Sequence, residues 1–243
     1  MTKQAIYKGK ARYYDLIYSW KDYRKESEKI KQLVRRFKKS KGKDLLEVAC
    51  GTGKHAKYLK DHFSILATDL NKNMLAIARR NVKGVSFREA NMLNLNLRQQ
   101  FDVVLCLFSS VGHAKTSTNL KKAISNFAQH LKRGGVLVIE PWVTGSAYKE
   151  GIPHLTVYKS PTIDIARLHV SKRSGNISVM DMHYLVGERK GVTHFIDRQE
   201  LGLFEIKDTL KFMRDAGLVS KYLKESLFTR RWKGRGLYIG VKK

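Results

Sequence analysis

Residues 47–55 read EVACGTGKH and follow the short apolar run of Asp44, Leu45 and Leu46. Gly51, Gly53 and Ala56 satisfy the pattern G-x-G-x-x-G/A, the turn that ends the first strand of a nucleotide-binding βαβ unit. Glycine lacks a Cβ, so the backbone of such a turn can approach a ligand closely. Outward from this turn, strand and helix signals alternate. SILATD reads as a strand, NMLAIARRN as a helix, VSFREA and FDVVLCLF as strands, NLKKAISNFAQHLKRGG as a helix stopped by glycine, and VLVIE as a fifth strand. Strands separated by helices imply a parallel sheet with right-handed crossovers, and the unbroken apolar runs fit strands covered on both faces. Upstream, Ile30, Leu33, Val34 and Phe37 recur at helical spacing among lysines and arginines, which predicts an amphipathic helix over 23–37.

After Trp142 the rhythm changes. Residues 155–204 carry short runs with period-two alternation, interrupted by Ser, Gly and Asn, and read as an antiparallel sheet inserted before the last helix. That helix, IKDTLKFMRDAG, ends at Gly217 and is followed by LVSKYLKES and GLYIGVKK, two strands with no helix between them. The expected fold is α/β: a Rossmann-like, mostly parallel sheet with helices on both faces, an antiparallel last strand and a small inserted antiparallel sheet.

The 243 residues suffice for one large core or one core with an inserted lobe. No apolar run approaches the ~18 residues that a bilayer span needs. The N-terminus has charge but no apolar core of a secretory signal, and Cys50 and Cys106 stand in no metal-ligand spacing, so a reduced, cytoplasmic protein is expected. Charge is the unusual feature: 48 Lys and Arg against 21 Asp and Glu give +27, concentrated at VRRFKKSKGK and FTRRWKGR. Such ends are either a solvated basic face or a surface for nucleic acid, anionic lipid or a phosphorylated small molecule. No RNP, KH or zinc-knuckle pattern accompanies them.

The glycine turn alone fits either NAD or S-adenosylmethionine. Asp69, closing the second strand, can accept from both ribose hydroxyls and does not separate the two. Three features favour the methyl donor. Glu47 immediately precedes the turn, where a carboxylate repels a pyrophosphate but suits an ammonium. A helix precedes the first strand, and the ending is helix–strand–strand.

EVACGTGKH, ATDLNKNML, FDVVLCLFSSVGH and LKRGGVLVIEPW together resemble the successive motifs of class I S-adenosylmethionine-dependent methyltransferases. YYDLIYSWKDY, HVSKRSGN, HYLV, VTHF, LGLF and GRGLYIG extend the likeness to N,N-dimethyltransferases of nucleotide-linked 3-amino-sugars. The resemblance implies that Glu47, Ala49, Gly51 and Gly53 form the methionine-side loop, that Asp69 takes the ribose, and that Met74, Asn91 and Met92 surround the adenine. Asn91 stands where many relatives carry Asp, and Ala49 where glycine is frequent. The segments implied are a helical lid (1–43), the S-adenosylmethionine-binding core (44–143), the substrate lobe (144–204), and a final helix with hairpin (205–243).

Methyl transfer from a sulfonium is an in-line displacement needing a neutral, desolvated and aligned nucleophile, and no metal. His113, at the end of the fourth strand in FSSVGH, is the expected base or orienter of an amine acceptor. Tyr14 and Tyr18 are expected to fold over the cofactor and acceptor, and Glu140 and Trp142 to line the acceptor pocket. His169, His183 and His194 lack a close ligand spacing and lie in separate strands, so no metal site is expected. Cys106 lies inside a strand, which argues against a thiol nucleophile, and no [DN]PP[YF] element is present. Two rivals remain from the charge: an RNA methyltransferase, and a basic nucleic-acid or membrane-surface module without catalysis.

Overall fold

The computed structural model describes residues 6, 10–227 and 236–243; the basic stretch FTRRWKGR lies outside them. Two helices, α1 (Arg12–Ile17) and α2 (Tyr23–Phe37), precede the sheet. Then β1 (Asp44–Val48), α3 (Lys54–Leu59), β2 (Ser64–Asp69), α4 (Lys72–Asn81), β3 (Ser86–Glu89), β4 (Phe101–Cys106), α5 (Ser117–Gln129) and β5 (Leu131–Ile139) alternate as expected. β6 (Pro153–Lys159), β7 (Ile163–Ser174), β8 (Ile177–Glu188) and β9 (Gly191–Gly202) form the inserted sheet. The chain then returns through α6 (Ile206–Asp215), β10 (Leu218–Leu223) and β11 (Leu237–Lys242). The large sheet has the order β3-β2-β1-β4-β5-β11-β10, and β11 runs antiparallel to both its neighbours. The second sheet is a four-stranded antiparallel meander.

Alternate residues of the central strands feed two cores. Leu46, Val104 and Leu137 face Leu120, Ile124 and Phe127 of α5, while Leu45, Val103 and Val136 face Ile30, Val34, Leu59 and Leu75 from α2, α3 and α4. The inserted sheet turns Ile165, Met180, Tyr184 and Val186 toward Tyr13 and Ile17 of α1. Its other face leaves Leu155, Val157, Leu168, Val170 and Leu185 exposed. Among the described residues, no helix is long and apolar enough to cross a membrane.

One boundary differs from the expectation. The glycines of LKRGG do not stop α5, which ends at Gln129; they belong to β5, which starts at Leu131. Gly134 adopts φ 75°, and its carbonyl accepts from the backbone of Lys39 and Ser40. The register against β4 shifts here, between Phe101 and Val103. The irregularity brings Lys132 to Asp102, 2.9 Å away, and to Asp44, 2.6 Å away. Asp102 is buried and also accepts from the backbone N–H groups of Gly42 and Asp44, both at 3.1 Å. It thereby joins the approach to β1 to the middle of the sheet.

Asp102→Ala strands two backbone donors and leaves Lys132 with Asp44 alone. We expect a loss of about 2–3 kcal/mol in urea denaturation with an unchanged m value. A change below about 0.5 kcal/mol would show that this junction is not a structural tie.

Candidate active site

The strand order places the glycine turn where β1 and β4 diverge, the crevice in which ligands of open α/β sheets bind. Ala49, Gly51 and Gly53 adopt positive φ values of 56°, 57° and 75°. At the first of these glycine would be the unstrained residue, since a left-handed alanine costs roughly 1–2 kcal/mol. The two glycines serve different ends. A Cβ on Gly53 would lie 3.2 Å from Phe87 and 3.3 Å from Ala78, so that residue permits close packing. A Cβ on Gly51 would meet nothing within 4 Å, so its face is open toward the cleft. The Gly51 N–H donates to Asp69 Oδ2 and the Asn71 N–H to Asp69 Oδ1, both at 2.8 Å, which fixes the carboxylate at the end of β2. Burial raises the pKa of Asp69 against the pull of these donors. Tyr14, Ala49, Gly51, Asp69, Met74, Asn91, Met92 and His113 line this one cleft. Asn91 Oδ1 accepts the Leu93 N–H at 2.9 Å, which leaves one lone pair and the amide NH2 for a ligand.

Glu47 lies beside the same turn in an adjoining recess with Tyr14, Ala49 and Gly51. It is 2% exposed, and its Oε2 is a buried atom with no hydrogen-bond partner. Behind it runs a buried row of charges. His55 Nδ1 lies 3.6 Å from Glu47 Oε1, His55 Nε2 lies 2.8 Å from Glu26 Oε2, and Lys21 Nζ lies 2.8 Å from Glu26 Oε1. Burial lowers the pKa of His55, but the two carboxylates outweigh it and hold the imidazole at about 9. A second tie comes from α1: Asp15 accepts from Thr52 Oγ1 at 2.6 Å and pairs with Lys54 at 3.1 Å. These contacts set Tyr14 above the glycine turn. Nothing in the spacing of Asp15, Glu26 and His55 announces them, because each partner comes from a distant element.

The cleft continues into a second cavity lined by Tyr18, Phe108, Trp142, Arg167, His169, Tyr184, Asp197 and Gln199; Tyr14, Ser110 and His113 belong to both. His113 sits on a 3-10 turn, Ser110–Ala114, that follows β4. Phe108 and Ser109, which lead into it, adopt positive φ values of 51° and 62°. Burial, reinforced by Lys115, lowers the His113 pKa to about 4, and Nδ1 has no partner. The imidazole is therefore neutral at physiological pH. Trp142 lines this cavity, whereas Glu140 does not. Glu140 is fully buried, and its Oε2 accepts the Phe108 N–H at 2.7 Å, so it braces the strained turn from behind. Tyr18 packs on Tyr14 at 4.8 Å and on Phe108 at 5.0 Å. Burial pushes the Cys106 thiol up to about 12. His169 faces the cavity, while His183 and His194 stack on each other on the opposite face of the insert.

A methyltransferase-domain family matches residues 45–135, the segment that carries the glycine turn and its cleft. The chain is 35% identical over 232 residues to the dTDP-3-amino-3,4,6-trideoxy-alpha-D-glucopyranose N,N-dimethyltransferase of Streptomyces venezuelae, covering 94% of this chain and 95% of that one. The crystal structure of Streptomyces venezuelae DesVI superposes with a TM-score of 0.89 at 34% identity, over 96% of this chain and 98% of the other. An amino pentose methyltransferase from Micromonospora echinaspora, solved with S-adenosylmethionine bound, superposes with a TM-score of 0.82 at 28% identity, over 92% of each chain. The open backbone at Gly51, the unpartnered oxygen of Glu47 and the fixed carboxylate of Asp69 suit the three polar ends of that cofactor. The chain belongs to the amino-sugar N-methyltransferases, enzymes that transfer a methyl group from S-adenosylmethionine to a small-molecule amine.

Proposed function

We propose that the acceptor is the amino group of a nucleotide-linked sugar, methylated twice in succession. The observation that carries this reading is the extent of the likeness to the dTDP-amino-sugar enzyme: it covers 94% of this chain and so includes the inserted sheet, well beyond the cofactor-binding core. The cysteines, both free and buried, fit the reducing cytoplasm.

S-adenosylmethionine, when bound, supplies a methyl group on a sulfonium that is transferred by in-line displacement. In this reading Glu47 Oε2 receives the ammonium of the methionine portion, and the Ala49–Gly53 turn follows its backbone. Asp69 accepts from the ribose, while Met74, Asn91 and Met92 hold the adenine. Residues 1–43 act as a lid through Tyr14 and Tyr18, and residues 144–204 as the acceptor lobe. Neutral His113 accepts a hydrogen bond from the amine N–H, which points the nitrogen lone pair at the methyl group. With the cofactor bound, transfer would form the C–N bond as the S–C bond breaks, and the proton of the resulting ammonium would pass to solvent water before a second transfer, since neutral His113 is too weak a base to keep it.

A radiolabelled methyl-transfer screen over dTDP-linked amino sugars, free amines and RNA tests the acceptor. Incorporation into RNA with none into amines would sink the reading. His113→Ala should retain S-adenosylmethionine affinity and slow turnover at least ~10-fold; unchanged turnover removes His113 from the mechanism. Asp69→Ala should weaken cofactor binding by calorimetry, and near-wild-type affinity would overturn the ribose assignment.

His55 makes a separate prediction. Its folded pKa of about 9 stands above the ordinary 6.5, so its contribution to stability is complete below pH 6.5 and is lost as pH rises through 9. His113, held at about 4, acts oppositely and only below pH 6.5. Urea midpoints of the wild type should therefore fall from pH 7 to 9 more steeply than those of His55→Gln. Parallel slopes would mean that His55 is not held protonated between Glu26 and Glu47.

A further inference from the structure

Arg167 is a buried cation that the mechanism above leaves without a task. It lies on the inner face of β7, is 4% exposed and lines the acceptor cavity. Its Nη1 donates to the Tyr18 hydroxyl at 2.8 Å and its Nη2 to Thr156 Oγ1 at 3.1 Å. The guanidinium also lies over the Tyr18 ring, 5.0 Å from its centroid. Its Nε is a buried atom without a partner. Every one of these neighbours is neutral. Among the described residues no Asp or Glu pairs with Arg167, and residues 1–5, 7–9 and 228–235 contain neither residue type. Asp197, the one carboxylate lining the cavity, accepts from the Ile6 N–H and from Gln199 Nε2.

A guanidinium without an ion-pair partner in a desolvated site is strongly unfavourable, and buried charges are as a rule paired. The neighbouring histidine adds no compensation: burial and Arg167 itself hold His169 at a pKa of about 4, hence neutral. Arg167 is thus a fixed cation of this cavity with no carboxylate at ion-pair distance among the described residues and with one N–H unused. Arginine's planar fork suits phosphate oxygens, and a desolvated cation acts on them far more strongly than exposed lysines such as Lys41 and Lys43.

We propose that Arg167 recognises the diphosphate of a nucleotide-linked acceptor and that the anion is its missing counter-charge. The assignment rests on the acceptor class proposed above. It also accounts for Tyr18, which touches Arg167 on one side and Tyr14 on the other. One pair of tilted, contacting rings then separates the anion site from the methyl-transfer site, so binding the diphosphate sets the distance at which the amine arrives.

Calorimetric titration with dTDP alone, beside a parallel titration with S-adenosylhomocysteine, tests this on wild type, Arg167→Met and Arg167→Lys. We expect Arg167→Met to bind dTDP at least ~10-fold more weakly, a difference of about 1.4 kcal/mol. Its S-adenosylhomocysteine affinity should stay within about 2-fold, and Arg167→Lys should recover part of the loss. Because the substitution removes an unpaired buried charge, Arg167→Met should denature at a urea concentration no lower than wild type in the absence of ligand. An Arg167→Met protein that is destabilised or fails to fold would make Arg167 a structural brace and overturn the proposal. Unchanged dTDP affinity in a folded Arg167→Met would overturn it as well, as would a wild type that methylates an amine but binds no dTDP. A wild type that methylates no amine at all would instead defeat the acceptor reading beneath it.

Discussion

Glu47 brings a negative charge to the end of a strand that is buried on both faces, and the protein is arranged around making that tolerable. Its carboxylate is followed inward by His55, Glu26 and Lys21, two cations and two anions in alternating order. A row of this kind holds together only while every member is present, because removing one leaves an uncompensated charge away from water. The four residues come from the segment before α2, α2 itself, β1 and α3. The row therefore fixes the N-terminal helices against the glycine turn, and with them the position of Tyr14. Lys21 also lies 4.1 Å from the centroid of Phe108, so the same row reaches the loop after β4.

The acceptor side is built by a different device. The backbone after β4 is strained at Phe108 and Ser109, and it stays so because Glu140 and Pro141 hold it from behind. Ser109 donates its N–H to the Glu140 carbonyl and its hydroxyl to the Pro141 carbonyl. In front, Gly112 sits against Leu201 of β9, where a Cβ would come within 3.2 Å. His113 is thus clamped between the parallel sheet and the inserted one. A side chain fixed in that way, and kept neutral by burial, is suited to orienting a nitrogen rather than to storing a proton.

Much of this was legible in the sequence where the signal is local. The alternation of apolar runs reports which strands are buried on both faces, and the G-x-G-x-x-A spacing reports a turn whose φ values only glycine adopts without cost. Asp69 is legible because it ends a strand at a fixed distance from that turn. LKRGG was misread because two glycines after a helix look like a stop; only the tie from Gly134 to Lys39 and Ser40 makes them a strand irregularity. Glu140 was legible as a strand-end carboxylate, yet whether it faces a cavity or a backbone N–H depends on the path of a loop 32 residues earlier. His55, Asp15 and Arg167 escaped for a similar reason, since their meaning lies in partners 29, 37 and 149 residues away.

Tyr14, Ser110 and His113 are the residues shared by the two cavities. The cleft beside the glycine turn is otherwise lined by the parallel core, and the second cavity by the inserted sheet with Tyr18 and the loops after β4 and β5. A substitution at any of these three side chains therefore reshapes both cavities at once, which makes the junction the part of the site with the least room for change.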